Sequence, residues 1–494
     1  MPPFPEAVVV MLLNQSFQRL QTTLSGRRGS ICVGARVGLF RSLLSALTVA
    51  LATLSGVSGL SAQSQTALPL QPIPISQFEL SNGLRVIVSE DHSAPVVAVN
   101  LWYRVGSANE VPGRTGFAHL FEHLMFVETQ NVGAGEMDGL IRRAGGVYNG
   151  TTNTDRTAYF ELLPSDQIGL SFYLHRERMA HLVVSDSGFE AQREVVKEEK
   201  VQRIDNQPYA NAQITLDTLS SDYLPYRHPS IGSLVDLNAA RIEDVRDFYE
   251  QFYVPRNATL VVAGDVTLAQ VMALAEEYFG DIPGGIATPP LPAPMAVPRT
   301  DGERRAEVAD PLARIPLLYL GYTIPGLAST DTPALMLLSS ILADGESSRL
   351  HRRLVAEDRL AVAISGAPIL RMGPGFMFFG AVPNPGRSVA EVEAALLEVI
   401  ADVAAGEVTE AELAKARNRL LVERVRNRLG VEGKANAIQV QDFYFGDATR
   451  INRELAEIEG VSLEDLQATA RRYLTSANRV VVVVRPVETG GTPR

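Results

Sequence analysis

The chain has 494 residues, more than one hydrophobic core usually organises, so two or more domains are expected. Apolar residues make up 46% and charged residues 20%, the balance of a globular protein. The net charge of −11 comes without any Lys/Arg-rich block of the kind that tracks phosphates, which argues against nucleic acid as a partner.

Residues 1–62 stand apart. They hold five arginines, one acid (Glu6) and an uncharged run from Ser42 to Ser61 ending in small residues, the pattern of a secretory signal cut near Ala62. The run is also close to the length that spans a bilayer, so a retained membrane anchor is the alternative. Either reading places the body of the protein outside the cytoplasm, in the periplasm or another extracytoplasmic space. Cleavage leaves a charge of (45−5) − (56−1) = −15 and removes Cys32, the sole cysteine, so no disulfide is expected.

Downstream, "APVVAVNLWYRVG" from Ala94 reads as a buried strand. In "GFAHLFEHLMF" from Gly116, Thr115 can cap a helix whose apolar stripe is Phe117, Leu120, Phe121, Leu124 and Met125. His119 and His123 lie about 40° beyond one full turn from each other, so both imidazoles leave one face and can converge on one ion. Glu122 falls about 60° to the side, near enough to reach a water on that ion and poorly aimed for a third ligand, which is the position of a general base. H-x-x-E-H reverses the thermolysin-type order and is the inverzincin pattern.

"NGTTNTDRTAYFELLP" from Asn149 alternates toward its end like a strand, and its Asn-Gly pair can also make a tight hairpin turn. "AQREVVKEEKVQRIDNQPY" from Ala191 reads as a polar helix with Val195 and Val196 on its buried face. Glu199 projects between those valines, while Glu198 and Lys200 point away. Catalytic zinc takes three protein ligands and leaves the fourth position to water, and a buried carboxylate needs a positive partner. Glu199 is therefore the candidate third ligand, against the plainer reading of "KEEK" as a solvated face.

The chain also repeats itself. "IEDVRDFYEQFYVPRNATLVV" from Ile242 aligns without gaps on "LEDLQATARRYLTSANRVVVV" from Leu463, an offset of 473 − 252 = 221, and the same offset carries the strand at Ala94 onto Ile315. Two homologous α+β domains are expected, each a largely antiparallel sheet packed with helices. The predicted boundaries are 75–280 for a catalytic domain, 281–310 for an extended Pro/Gly-rich linker and 311–488 for a metal-free domain. At that offset His119, Glu122 and His123 fall on Ser340, Ala343 and Asp344, and Glu199 falls near Leu420, so the second half lacks the motif.

Together with "AGGVYNGTTNTDRTAYFELLP", "QREVVKEEKVQRIDNQPY" and "ILADGESSRLHRRLV", these stretches resemble the pitrilysin/insulinase family of zinc peptidases, in particular shorter bacterial members related to the mitochondrial processing peptidase. The likeness extends over most of residues 78–486. It implies one Zn²⁺ per chain held by His119, His123 and Glu199, with Glu122 as the base. It also implies that Asn149 and Gly150 begin a sheet edge to which a peptide substrate adds as a strand. Gln192 stands where many relatives carry a glutamate, and an amide there can orient a neighbour but not take a proton.

Relatives of this length are half of a clamshell closed by a second chain, whose metal-free side offers an arginine and, seven residues on, a tyrosine. The matching places look like Lys434 and Gln441, and neither does that job. A dimer with a metal-free homologous subunit is expected, the alternative being a homodimer in which Tyr444 or Arg453 substitutes. The expected function is a zinc-dependent metalloendopeptidase acting on peptides or unfolded segments. The alternative is a catalytically silent assembly or binding subunit on the same fold, which the intact motif disfavours.

Overall fold

Two sheets with one shared strand order organise the chain. The computed structural model describes residues 71–286 and 297–487, so the expected signal or anchor and part of the expected linker lie outside the described residues. Among the described residues no helix is long and apolar enough to cross a membrane.

In the first sheet β1 (Ser76–Glu79), β2 (Arg85–Glu90), β3 (Val96–Tyr103), β4 (Val147–Thr152), β5 (Thr157–Pro164) and β6 (Ala258–Gly264) are ordered β1-β2-β6-β3-β5-β4. In the second, β7 (Arg304–Asp310), β8 (Leu317–Ile324), β9 (Ala361–Ile369), β10 (Gly375–Pro383) and β11 (Arg479–Pro486) are ordered β7-β11-β8-β10-β9. Apart from β1, each strand of the first sheet has a counterpart in the second, and β3 and β8 begin at Val96 and Leu317, the expected 221 residues apart. Neighbours are antiparallel except β2 with β6 and β7 with β11. The sheets are thus mixed, because each parallel partner returns only after a long helical excursion.

The central strands β6 (ATLVVAG) and β8 (LLYLGYTI) are buried along their whole length, and their β-branched and aromatic residues suit that two-sided burial. β7 differs from expectation, since Arg304–Asp310 falls inside the predicted linker yet forms an edge strand. Its exposure alternates along RRAEVAD, which fits a strand with one wetted face, and the linker ends before it.

The helices of the first half are α1 (Phe117–Leu124), α2 (Glu136–Arg143), α3 (Ile168–Ala180), α4 (Asp186–Lys200), α5 (Ala210–Ser220), α6 (Leu234–Ala239), α7 (Ile242–Phe252) and α8 (Leu268–Phe279). Those of the second are α9 (Thr332–Ala343), α10 (Val389–Ala405), α11 (Glu410–Asn427), α12 (Val431–Phe445), α13 (Glu454–Glu459) and α14 (Leu463–Tyr473). Strand alternation sorts the first sheet's side chains. Val86, Val88, Val99, Leu101, Leu260 and Val262 face the core built with Leu120, Phe121, Phe172 and Phe279. Ile87, Ala98, Val261 and Ala263 face the other way, onto Val431, Ala435 and Ile438 of α12.

The first sheet's second face is therefore covered by a helix from the second half. The reverse also holds, for α5 lies on the second sheet. A Cβ on Gly321 of β8 would stand 2.9 Å from Leu216 of α5, and Thr323 Oγ1 donates to the Ser220 carbonyl over 2.7 Å. α5 and α12 start at Ala210 and Val431, again at the repeat offset, so the two halves exchange equivalent helices.

Candidate active site

α1 begins in a way its local sequence does not announce. Gly116 takes φ +92°, and Thr115, expected to cap the helix, instead donates through Oγ1 to Asp236 Oδ2 over 2.5 Å. The open amides of Gly116 and Ala118 donate to the two carboxylate oxygens of Glu110, over 2.9 and 2.8 Å. The left-handed turn at Gly116 swings Thr115 off the axis, and the two Glu110 oxygens take the amides that a capping hydroxyl would otherwise meet. Burial pushes Glu110 up to about 8, against those amide donors.

On this helix the rings of His119 and His123 lie with centroids 4.8 Å apart. Glu199, in the last turn of α4, brings Oε2 to 3.2 Å from His123 Nε2 and 3.7 Å from His119 Nε2. One ligand atom from each of the three lies within 4.8 Å of the others, and among the described residues no second group of this kind occurs. Zinc bonds of about 2.0–2.1 Å in a tetrahedron set ligand separations of roughly 3.3 Å, so two imidazoles and this carboxylate oxygen fit a zinc ion. Glu199 turns its other oxygen to Arg203 Nη1 at 2.7 Å, within the π-helical turn Val201–Asp205 that continues α4.

The predicted buried face of α4 is narrower than expected. Val196 is fully buried, but Val195 is 47% exposed, so Glu199 sits at the shoulder of the face and reaches the histidines from there. Burial, then the neighbouring His123, holds His119 down to about 4, which keeps its imidazole neutral at pH 7. For His123 burial acts downward, but Glu199, Glu122 and the Gln192 amide together hold it above its usual value. That places Gln192 beside a proposed ligand.

Glu122 stands next to the histidines and is pushed up to about 6 by burial, against a hydrogen bond from Thr152. Thr152 Oγ1 donates to Glu122 Oε2 over 2.5 Å. Gly150 packs on the same glutamate, and Asn149 beside it is exposed, its Oδ1 accepting the Gly150 amide over 2.9 Å. Asn149 and Gly150 are not a turn. They lie within β4, whose only strand partner among the described residues is β5, and the hairpin turn comes later, at residues 153–156. The outer edge of β4 is thus open beside Glu122. Thr152 went unnoticed in the sequence, although strand alternation puts it on the same face as Gly150.

Lys434 and Gln441, at the places where relatives carry an arginine and a tyrosine, are both engaged within the chain. Lys434 Nζ pairs with Asp91, and Gln441 is 2% exposed with its Oε1 accepting from Arg450 Nη1 over 2.5 Å. Both are used to fasten α12 within its own chain. Tyr444 OH reaches Asp155 Oδ2 at 3.4 Å, and Arg453 pairs with Asp447 at 2.7 Å. In the second half Asp344, the counterpart of His123, accepts from Arg419 Nη2 over 2.5 Å. A guanidinium there occupies the neighbourhood that the first half offers to a metal.

Residues 85–228 match the family model described as Insulinase (Peptidase family M16), and residues 240–420 match the Peptidase M16 inactive domain. The zinc protease PqqE of Helicobacter pylori is 30% identical over 451 residues, covering 90% of this chain and 99% of that one. The crystal structure of a protease from Helicobacter pylori superposes with a TM-score of 0.79 at 29% identity, over 84% of this chain and 100% of that one. A Pseudomonas fluorescens structure described as a peptidase M16 inactive domain superposes with a TM-score of 0.76 at 16% identity, over 84% and 98%, a likeness of fold.

Proposed function

Because the chain belongs to the insulinase family, peptidase family M16, we propose that it is a zinc-dependent metalloendopeptidase that cleaves peptides or unfolded polypeptide segments. The observation that carries this reading is the convergence of His119, His123 and Glu199 within 4.8 Å, with Glu122 alongside. These three would hold one zinc ion per chain. Bound there, zinc supplies a Lewis acid that polarises a peptide carbonyl and acidifies water.

The chain's own residues supply the rest. A neutral His119 keeps its Nε2 lone pair available for the metal. Glu122 accepts the proton of the attacking water and returns it to the leaving amine. Thr152 engages Oε2, so the proton is carried on Oε1. A carboxylate raised toward neutrality by burial is matched to both transfers. The open edge of β4 from Asn149 to Thr152 accepts the substrate as an added strand, which reads backbone shape more than side-chain identity.

The protein is further proposed to work outside the cytoplasm, as its basic and uncharged N-terminal pattern supports, and as a dimer with a metal-free homologous subunit or a second copy, as the resemblance to two-chain relatives supports. Native mass spectrometry of the purified chain reads the second point. A silent binding subunit is disfavoured by the retention of all four site residues. The decisive measurement is zinc content together with cleavage of a quenched peptide library, for wild type and Glu122→Gln. The variant is expected to keep its zinc and lose about 10²- to 10⁴-fold in turnover. Zinc loss in that variant would reverse the assigned roles.

A further inference from the structure

Asp155, in the turn between β4 and β5, is a carboxylate with only 5% of its surface exposed. It is not needed to cap its own turn, because Asn153 Oδ1 already accepts the amides of Asp155 and Arg156, over 2.8 and 2.9 Å. All three contacts of its carboxylate are to distant segments. Oδ1 accepts from Tyr226 OH over 2.8 Å, and Oδ2 accepts from the Met372 amide over 2.8 Å and faces Tyr444 OH at 3.4 Å. Tyr226 OH in turn accepts from the Gly373 amide over 2.8 Å. Met372, Gly373 and Tyr444 belong to the second half. The direct donors are neutral and only the nearby Arg371 and Arg156 guanidiniums offset the charge, so burying this carboxylate costs free energy that an apolar turn residue would not incur.

The other side of the turn is also fixed. Ser107 and Ala108 donate their amides to the Asn153 and Thr154 carbonyls, over 3.1 and 2.9 Å. Gly106 lies so close beneath that a Cβ there would stand 2.4 Å from the Asn153 carbonyl oxygen. Glu110, which caps the helix carrying Glu122, follows directly after this 3₁₀ segment, Ser107–Asn109. The turn is therefore referenced to the base through α1 on one side and through Thr152 on the other.

We propose that Asp155 is a positioning residue for the general base: by tying the β4–β5 turn to the Met372 amide and Tyr226, it sets Thr152 at hydrogen-bonding distance from Glu122. The second half thereby acts on the reaction mechanically from within the same chain. This inference rests on the peptidase reading for its kinetic consequence, and on the hairpin contacts alone for its structural one.

The test uses the full chain loaded with zinc, carrying Asp155→Asn, Thr152→Val and the pair. Asp155→Asn is expected to lower kcat about tenfold, with KM and zinc content changed less than about twofold. In the Thr152→Val background the same change is expected to cost less than about twofold more, because both act through one hydrogen bond. Losses that multiply, or a rise in KM at constant kcat, would overturn the proposal. Hydrogen exchange is read in parallel, and residues 147–152 are expected to exchange about tenfold faster in Asp155→Asn. Unchanged exchange there overturns the proposal whether or not the chain turns over peptide, whereas a wild-type chain without turnover sinks only the peptidase reading. If Asp155→Asn does not fold, Tyr226→Phe removes one donor at unchanged ring volume and is expected to move both readouts in the same direction.

Discussion

Gly150 leaves no room beside Glu122: a Cβ at Gly150 would stand 2.9 Å from Glu122 Cγ and 2.9 Å from Phe126 Cε2. β4 and the helix that carries Glu122 are thus in direct contact. Gly150→Val must displace one of the two side chains, and overpacking of this kind costs about 1–3 kcal/mol. Peptide turnover is expected to fall about tenfold or more while zinc content is unchanged, which steady-state kinetics and metal analysis on the same sample will read. Full activity in that variant would show that Glu122 need not hold this position.

A metal held by His119, His123 and Glu199 should also stabilise the fold, since these residues come from two separate helices, α1 and α4. Binding to the native state alone adds RT ln(1 + [L]/Kd), about 4 kcal/mol at a thousandfold excess over Kd. Chelator dialysis is expected to lower the melting temperature and readdition of zinc to restore it. Glu199→Gln should abolish most of that shift, and calorimetry with and without zinc is the check.

Glu110 holds the helix that carries both histidines. Glu110→Ala leaves the Gly116 and Ala118 amides without their acceptor, a loss of about 1–2 kcal/mol of stability by analogy with other helix caps. Zinc affinity is expected to weaken as α1 frays. Denaturant unfolding and a competition titration with a fluorescent chelator measure the two effects separately.

A pH effect is expected from a buried cluster under Phe126, whose ring lies 5.2 Å from the Arg178 guanidinium. Glu161 accepts from Arg178 Nη2 over 2.6 Å and from Ser171 Oγ over 2.8 Å, and His175 Nε2 lies 2.6 Å away. Arg178 Nη1 also lies 3.1 Å from His175 Nδ1, and burial lowers the His175 imidazole below its usual value. Burial pushes Glu161 upward, but Arg178 and His175 outweigh it and bring it down to about 2. In the unfolded chain the value returns to about 4.3. Stability from this group is therefore fully present above about pH 4.3 and lost as pH falls toward 2. Glu161→Gln should flatten that part of the stability profile and, by leaving Arg178 unpaired, cost about 3–5 kcal/mol at pH 7. Urea unfolding between pH 2 and pH 7 tests both expectations.

How much of this could be read beforehand depended on the range of each contact. His119 and His123 declare themselves because one helical turn fixes their relation, and the repeat at 221 residues fixes the paired sheets. Glu199 was reachable through the helix face it shares with Val196, even though Val195 proved exposed. Thr152, Glu110 and Asp155 were not reachable. Their importance lies in partners that a linear pattern does not show, in the case of Asp155 and Met372 separated by 217 residues. Lys434 and Gln441 were expected not to do the job of an arginine–tyrosine pair, but their partners within the chain, Asp91 and Arg450, were not legible. Spacing along α12 says nothing about which sheet the helix lies on, and it lies on that of the other half.

The exchanged helices, α5 and α12, bear on ancestry as well as on packing. One half taken alone would leave an apolar sheet face bare while holding out a helix fitted to cover an identical face. A progenitor consisting of a single half would have satisfied both needs only as a two-fold symmetric pair, each copy lending its helix to the other. Joining two such copies end to end would fix that reciprocal embrace within one polypeptide and leave only one half in need of the H-x-x-E-H motif.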